Sequence, residues 1–228
     1  MMTCKADKLI YRHEQKYLID ARQEAILKLR AKASMMPDPH AGKEGCYEIS
    51  SLYFDDLNDS CFFDTIDGIG NRAKYRIRIY NGDDAFIRME KKIKHGEMTA
   101  KKSVTISKEE CEGLMEGRLP DREPGFFEEM RYAGVMPKVI VSYERIPYVY
   151  PAGNVRLTFD RGIESSAAIK EFLIGAKAKR CVLPAGATVM ELKWDGFLPG
   201  HITDIFQLEG LRRTNFSKYC MCRQYGSV

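Results

Sequence analysis

The sequence predicts an α+β fold, a closed antiparallel β-barrel of about eight strands with helices packed outside. Three observations carry this. Eight segments have strand character, most with period-two alternation; Arg and Lys recur on one face of nearly every alternating segment; and the opposite faces are apolar. Clustered like charges repel one another. Curling the sheet turns them toward a wet lumen that a polyanion neutralises, and leaves the apolar faces outside for helices to cover. The plainer alternative is an antiparallel sheet with one face on the core and one in water.

Tyr11–Ile19 is the first strand and carries Arg12, Glu14 and Lys16 on one face. Asp20 with Gln23 forms a capping box ahead of a helix over Ala21–Ala33, where Ile26, Leu29 and Ala33 recur at helical spacing. Tyr47–Phe54 is a strand. Arg72–Ile79 sets Arg72, Lys74, Arg76 and Arg78 against Ala73, Tyr75, Ile77 and Ile79, and Asn81-Gly82-Asp83-Asp84 is a hairpin connection. The returning strand sets Arg88, Glu90 and Lys92 against Ile87, Met89 and Ile93, and Ala100–Ile106 follows. Ser107 with Glu110 opens a helix to about Glu116, and Phe126–Tyr132 is a third. In Val139–Tyr148, Val139, Val141, Tyr143 and Arg145 share a face, with Ser142 and Glu144 on the other. Val155–Asp160 opposes Arg156, Thr158 and Asp160 to Val155, Leu157 and Phe159. Val189–Trp194 opposes Glu191 and Lys193 to Met190, Leu192 and Trp194, and His201–Leu211 is a fourth helix.

No repeat or low-complexity linker divides the chain, so residues 1–228 are expected to form a single domain. Lys+Arg 36 against Asp+Glu 32 leaves +4, too small an excess to argue for nucleic acid; the placement of the charges decides. The seven cysteines (Cys4, Cys46, Cys61, Cys111, Cys181, Cys220, Cys222) include no CxxC pair and read as reduced thiols rather than a zinc site. Charges throughout residues 1–17 leave no signal-peptide core, and no run approaches the roughly 20 apolar residues of a membrane span. The expectation is a cytoplasmic protein with no transmembrane segment.

Eight short motifs then occur in order: Arg12-His-Glu14-Gln-Lys16-Tyr17, Ser51-Leu-Tyr-Phe-Asp55, Lys74-Tyr-Arg76-Ile-Arg78, Glu90-Lys-Lys92, Lys102-Ser103, Ser142-Tyr143-Glu-Arg145, Glu191-Leu-Lys193 and Phe216-Ser217-Lys218. From about residue 8 to 225 the chain resembles the VTC (vacuolar transporter chaperone) domain, the polyphosphate polymerase domain of the triphosphate tunnel metalloenzyme (CYTH-like) superfamily. The resemblance implies a closed barrel whose lumen binds triphosphate on basic side chains. It assigns Lys16, Arg76, Arg78, Lys92, Lys102, Arg145, Arg156 and Lys218 to catalysis, and Tyr143, Ser217, Arg12, Arg88 and Lys193 to substrate binding. It gives the divalent metal, Mn²⁺ or Mg²⁺, to Glu191, with Glu14, Glu90 and Asp160 as weaker candidates. Arg suits phosphate through its planar fork, Lys as a mobile point charge, and carboxylates suit a hard cation.

Each residue also has a plainer reading. Glu14 with Lys16, and Glu191 with Lys193, are equally the pattern of cross-strand ion pairs, and Glu14, Glu90 and Lys193 are placed to orient neighbouring cations. His13 reads as a packing residue, Trp194 as barrel-to-helix packing, and Asp160 as a strand end.

Two departures refine the resemblance. Triphosphate-hydrolysing relatives begin ExExK, whereas Arg12 gives RxExK and removes one metal ligand, which favours the polymerase branch. The eukaryotic complexes also carry a regulatory SPX domain and membrane helices, for which this chain is expected to have no room. The implied reaction moves the γ-phosphate of ATP or another nucleoside triphosphate to a growing polyphosphate, with tripolyphosphate and pyrophosphate as related ligands. The alternatives are a metal-dependent tripolyphosphatase or nucleoside triphosphatase, and a non-catalytic polyphosphate or nucleotide sensor.

Overall fold

A computed structural model describes residues 9–225; Cys4 lies outside them. The strands are β1 (Arg12–Ile19), β2 (Met36–Pro37), β3 (Tyr47–Asp55), β4 (Asn71–Tyr80), β5 (Asp83–His95), β6 (Met98–Ile106), β7 (Met136–Tyr150), β8 (Val155–Ser166), β9 (Arg180–Cys181) and β10 (Thr188–Trp194). The helices are α1 (Ala21–Ser34), α2 (Ser60–Ile66), α3 (Lys108–Met115), α4 (Pro124–Tyr132), α5 (Gly200–Ile205) and α6 (Lys218–Tyr225).

Eight antiparallel strands close in the order β7-β3-β4-β5-β6-β1-β10-β8, with a β7–β8 ladder completing the ring. The two-residue strands β2 and β9 extend it from β7 and β8. All eight predicted strands are barrel staves. Closure is narrowest between β1 and β6, which pair only at Arg12–Thr99 and His13–Met98.

Outside the barrel, Leu52, Phe54, Ile77, Ile79, Ile87 and Met89 are buried with Cys111 and Leu114 of α3 and Phe127 and Met130 of α4. On the other flank Leu157, Phe159, Met190 and Leu192 meet Leu27 and Ala31 of α1 and Ile202 and Ile205 of α5. Burial of each of these Leu, Ile, Phe and Met side chains contributes about 1.5–3 kcal/mol. Both predicted capping boxes are present: Asp20 accepts from the N–H of Gln23, whose side chain accepts in return, and Ser107 does the same with Glu110.

The inner face departs from the expected fully charged lining. Ile49, Val139, Val141, Ile163 and Val189 form an apolar inner sector with Tyr219, Cys220 and Cys222 of α6. Helix α6 therefore plugs part of the lumen, and cations line the remainder. Two helices, α2 and α6, have no counterpart in the sequence reading. The first has a left-handed residue, Asp59, at its N-cap (φ 54) and no side-chain cap from it. Its amides go instead to Asp55, which accepts from Cys61 and Phe62, and to Asp56, which accepts from Ser60. The predicted helix over His201–Leu211 stops at Ile205. Phe206, Leu208 and Leu211 reach the α1 flank from successive turns rather than from helix.

At one barrel end Arg12 binds Asp195 (2.5 Å) and the Asn154 carbonyl (2.6 Å), joining β1 to the ends of β10 and β8. Gly153 makes this junction possible: it has φ 74, and a Cβ there would overlap the Phe197 carbonyl oxygen. Gly96 also has positive φ (57) but faces open space. Gly96→Ala is therefore expected to cost the left-handed term alone, about 1–2 kcal/mol, and Gly153→Ala about 2–4 kcal/mol once the overlap is added. Urea unfolding of the two variants measures the difference; equal losses would remove the close approach from the account.

Candidate functional site

The inner faces of β1, β4, β5, β7 and β10 and the segment entering α6 enclose a cavity of about 330 Å³. Eleven cations line it against three carboxylates, Glu14, Glu97 and Glu191. Cross-strand register explains the convergence. Lys16 lies opposite Glu191, Glu14 opposite Lys193, Lys74 opposite Lys92, and Arg76 opposite Glu90, so alternation along each strand delivers one charged side chain per step to the lumen.

Four inward carboxylates hold the cations apart. Glu14 lies 2.7 Å from Lys92 and 3.5 Å from both Lys16 and Lys193. Glu191 lies 2.8 Å from Lys218, 3.0 Å from Lys193 and 3.7 Å from Arg145. Asp160 takes both Arg145 nitrogens at 2.6 and 2.7 Å and Lys218 at 2.6 Å. Glu90 accepts from Arg76 (2.8 Å) and Lys101 (2.7 Å) and lies 3.9 Å from Arg78. Burial alone would raise the pKa of Glu14, yet Lys92, Lys193 and Lys16 hold it well below the ordinary carboxylate range. Burial likewise opposes ionisation of Glu191, and Lys193, Lys218 and Lys16 outweigh it. Among the cations, burial lowers Lys92 to about 7 despite Glu14, and Lys74 to about 8.

Of the residues singled out from sequence, Lys16, Arg76, Arg78, Lys92, Arg145, Lys218, Tyr143, Ser217, Lys193, Glu14 and Glu191 line the cavity together. Glu90 and Asp160 are buried against its arginines and outside its lining. Lys102 is a correction. It pairs in register with Lys91 on the outer face, and Lys101 is the neighbour that turns inward to Glu90. Arg156 has an inward register position opposite Lys193, but its guanidinium is held by the Tyr47 hydroxyl (2.8 Å) and Asp38 (2.8 Å), outside the cavity lining. Arg88 donates to Ser103 and Arg12 is engaged by Asp195, and neither lines the cavity. Lys74, Tyr53, Arg72, Lys94 and Arg213 line it without having been assigned there. Alternation with Arg76 and Arg78 was the available signal for Lys74 and Arg72.

The ionisable groups around the cavity fit a hard divalent cation in one way only. Among the described residues, no three His, Cys, Asp or Glu side chains form a metal cluster by themselves. Glu191, with Glu14 as the second carboxylate, would supply one or two oxygens, and the remaining ligands would be phosphate oxygens and water, the usual arrangement for Mg²⁺.

The pKa directions fix the pH dependence of stability. The carboxylates are depressed in the folded state, so their contribution is present above about pH 4.5 and lost as pH falls through their folded values. Lys74 and Lys92 are also depressed, so the unfolded chain binds more protons above about 7–8 and stability rises with pH there. Melting temperature without anions is expected to climb between pH 7 and 9, and Lys74→Met to flatten that climb. A flat wild-type profile would contradict the burial assigned to these lysines.

Comparison with known proteins agrees with this architecture. No curated protein sequence matches the chain. A candidate adenylate cyclase from Bacillus halodurans superimposes with TM-score 0.52 at 18% identity, covering 87% of each chain. An adenylyl cyclase candidate from Hippeastrum, described as having a dominant triphosphatase activity, gives TM-score 0.55 at 11% identity, covering 96% of this chain and 97% of its own. At these identities the likeness establishes the fold, a closed antiparallel barrel with helices packed outside. The sequence matches the VTC domain over residues 11–225, and the chain belongs to that family.

Proposed function

We propose that this chain is a polyphosphate-synthesising phosphotransferase, which moves the γ-phosphoryl group of ATP or another nucleoside triphosphate to the end of a polyphosphate, with Mn²⁺ or Mg²⁺. The cation surplus of the cavity is the observation that supports this best. Glu14, Glu90, Asp160 and Glu191 are each shared between at least two cations, and among the described residues the eleven lining cations still outnumber the carboxylates that face them. A run of phosphates is the ligand that satisfies it.

Phosphoryl transfer asks mainly for in-line positioning and for charge to be spread over the moving oxygens. Arg76 and Arg78 project from the same face of β4; Glu90 fixes the plane of Arg76, and Arg78 donates to the Ser51 and Tyr143 hydroxyls. Arg145 is fixed by its two bonds to Asp160, and Lys218 by Asp160 and Glu191. Such cations are aimed before substrate arrives. A bound divalent metal at Glu191 would add neutralisation of phosphate charge. The acceptor's terminal phosphate is already ionised, so transfer to it needs no histidine, and among the described residues none lines the cavity.

Hydrolysis is the competing reading in the same fold. Arg12 argues against it: the position that is acidic in ExExK relatives carries a cation, which is turned away to Asp195. A non-catalytic sensor would need the cations but not Glu191. Among the described residues no helix is long and apolar enough to cross a membrane.

Incubation of the purified chain with ATP and Mn²⁺ is expected to yield a polyphosphate ladder and ADP in excess of free phosphate. Glu191→Gln is expected to lose that turnover while binding tripolyphosphate in chelator at least as tightly, since a repelling carboxylate has gone. ADP matched by free phosphate would establish hydrolysis, and binding without turnover would establish a sensor.

A further inference from the structure

Lys74 differs from the lysines around it. Lys16, Lys92, Lys193 and Lys218 each contact a carboxylate, whereas the polar contacts of Lys74 Nζ are the Ser217 hydroxyl at 3.0 Å and the Cys220 sulfur at 3.9 Å. Ser217 sits at the mouth of α6, where its Oγ accepts from the Cys220 N–H at 3.3 Å. Lys74 Nζ donates to the same oxygen, and once Lys74 is neutral its lone pair faces the Ser217 O–H across that 3.0 Å. Both side chains line the cationic cavity, and Lys16 fixes the preceding residue by donating to the Phe216 carbonyl at 3.0 Å. A hydroxyl held against an amine that has no carboxylate partner among the described residues is the arrangement of a nucleophile and its proton acceptor.

We propose that Ser217 is itself a phosphoryl acceptor, its hydroxyl attacking the γ-phosphorus of a bound nucleoside triphosphate while Lys74 takes the proton, so that the chain carries a phosphoserine. This rests on the triphosphate-binding reading of the cavity given above. The step balances without redox chemistry. The Oγ–H proton passes to Nζ, a bond forms between Oγ and the γ-phosphorus, and the bond from phosphorus to the β,γ-bridging oxygen breaks with its electron pair leaving on the nucleoside diphosphate. Burial of Lys74, which lowers it to about 8, supplies a neutral fraction able to accept the proton. The product is well housed: a phosphate on Ser217 stands at the N-terminal end of α6, with Lys74 at its oxygen and Lys16 on the carbonyl of the preceding residue.

The test uses the full chain with ATP labelled at the γ-phosphate, with and without Mn²⁺, followed by denaturation and peptide mass spectrometry. The expected result, in both conditions, is label that survives acid, is released by alkali and maps to Ser217. Ser217→Ala should remove it. Lys74→Arg keeps the cation but cannot accept a proton, and should slow labelling about a hundredfold. Calorimetry of tripolyphosphate on the same wild-type preparation separates the two readings. Binding with no covalent label, or label on another residue, overturns this proposal alone; absence of binding overturns the cavity reading and this proposal with it.

Discussion

Mutual repulsion among inward-facing lysines and arginines is the constraint around which this barrel is organised. Ten of the eleven cavity cations come from strands or from the start of α6 and surround a volume of about 330 Å³, and at low dielectric their repulsion would open the ring. Glu14, Glu90, Asp160 and Glu191 prevent this, each lying between cations from different strands. Glu14 joins β1 to β5 and β10, Glu90 joins β5 to β4 and β6, and Asp160 joins β8 to β7 and α6. These carboxylates reinforce the strand ladders across the lumen. They compensate the cations only in part, and the remaining positive charge is the binding capacity of the site.

The position of α6 follows from a second requirement. The inner faces of β3 and β7 are partly apolar, and water alone would cover Ile49, Val139 and Val141 poorly. Tyr219, Cys220 and Cys222 cover them, and the Tyr219 hydroxyl donates to Asp55, the same carboxylate that accepts two N-terminal amides of α2. Packing on one side of α6 thereby sets where Ser217 and Lys218 stand on the other. Apolar burial and the charged site are coupled through one helix turn.

Much of this was legible in the sequence because alternation is a strong signal when the two faces differ in charge. The staves and most cavity cations follow from it, and both capping boxes follow from the residue pairs three apart at Asp20 and Ser107. Lys102 shows where it was not used. It shares a face with Ala100, Val104 and Ile106, the buried or half-buried outer set, so parity alone assigns the lumen to Lys101. Arg156 had the correct parity, and what sequence could not show was Asp38 and Tyr47 reaching it from 118 and 109 positions away. Helix α2 was hidden because its cap comes from Asp55 and Asp56 rather than from a residue at the cap position. Helix α6 was hidden because its first residues read as charge-bearing site residues, although Ser217 at its start is also an N-cap.

The central claim is that the uncompensated lumen cations form a built site for a run of phosphates. Titration calorimetry of tripolyphosphate in chelator at fixed salt, on wild type and on the Arg76→Met, Arg78→Met and Arg145→Met variants, tests it most directly. The account predicts one site per chain and a loss of about 1.5–3 kcal/mol, roughly 10- to 150-fold in affinity, for each variant that remains folded. Equal affinity in wild type and all three variants would contradict it.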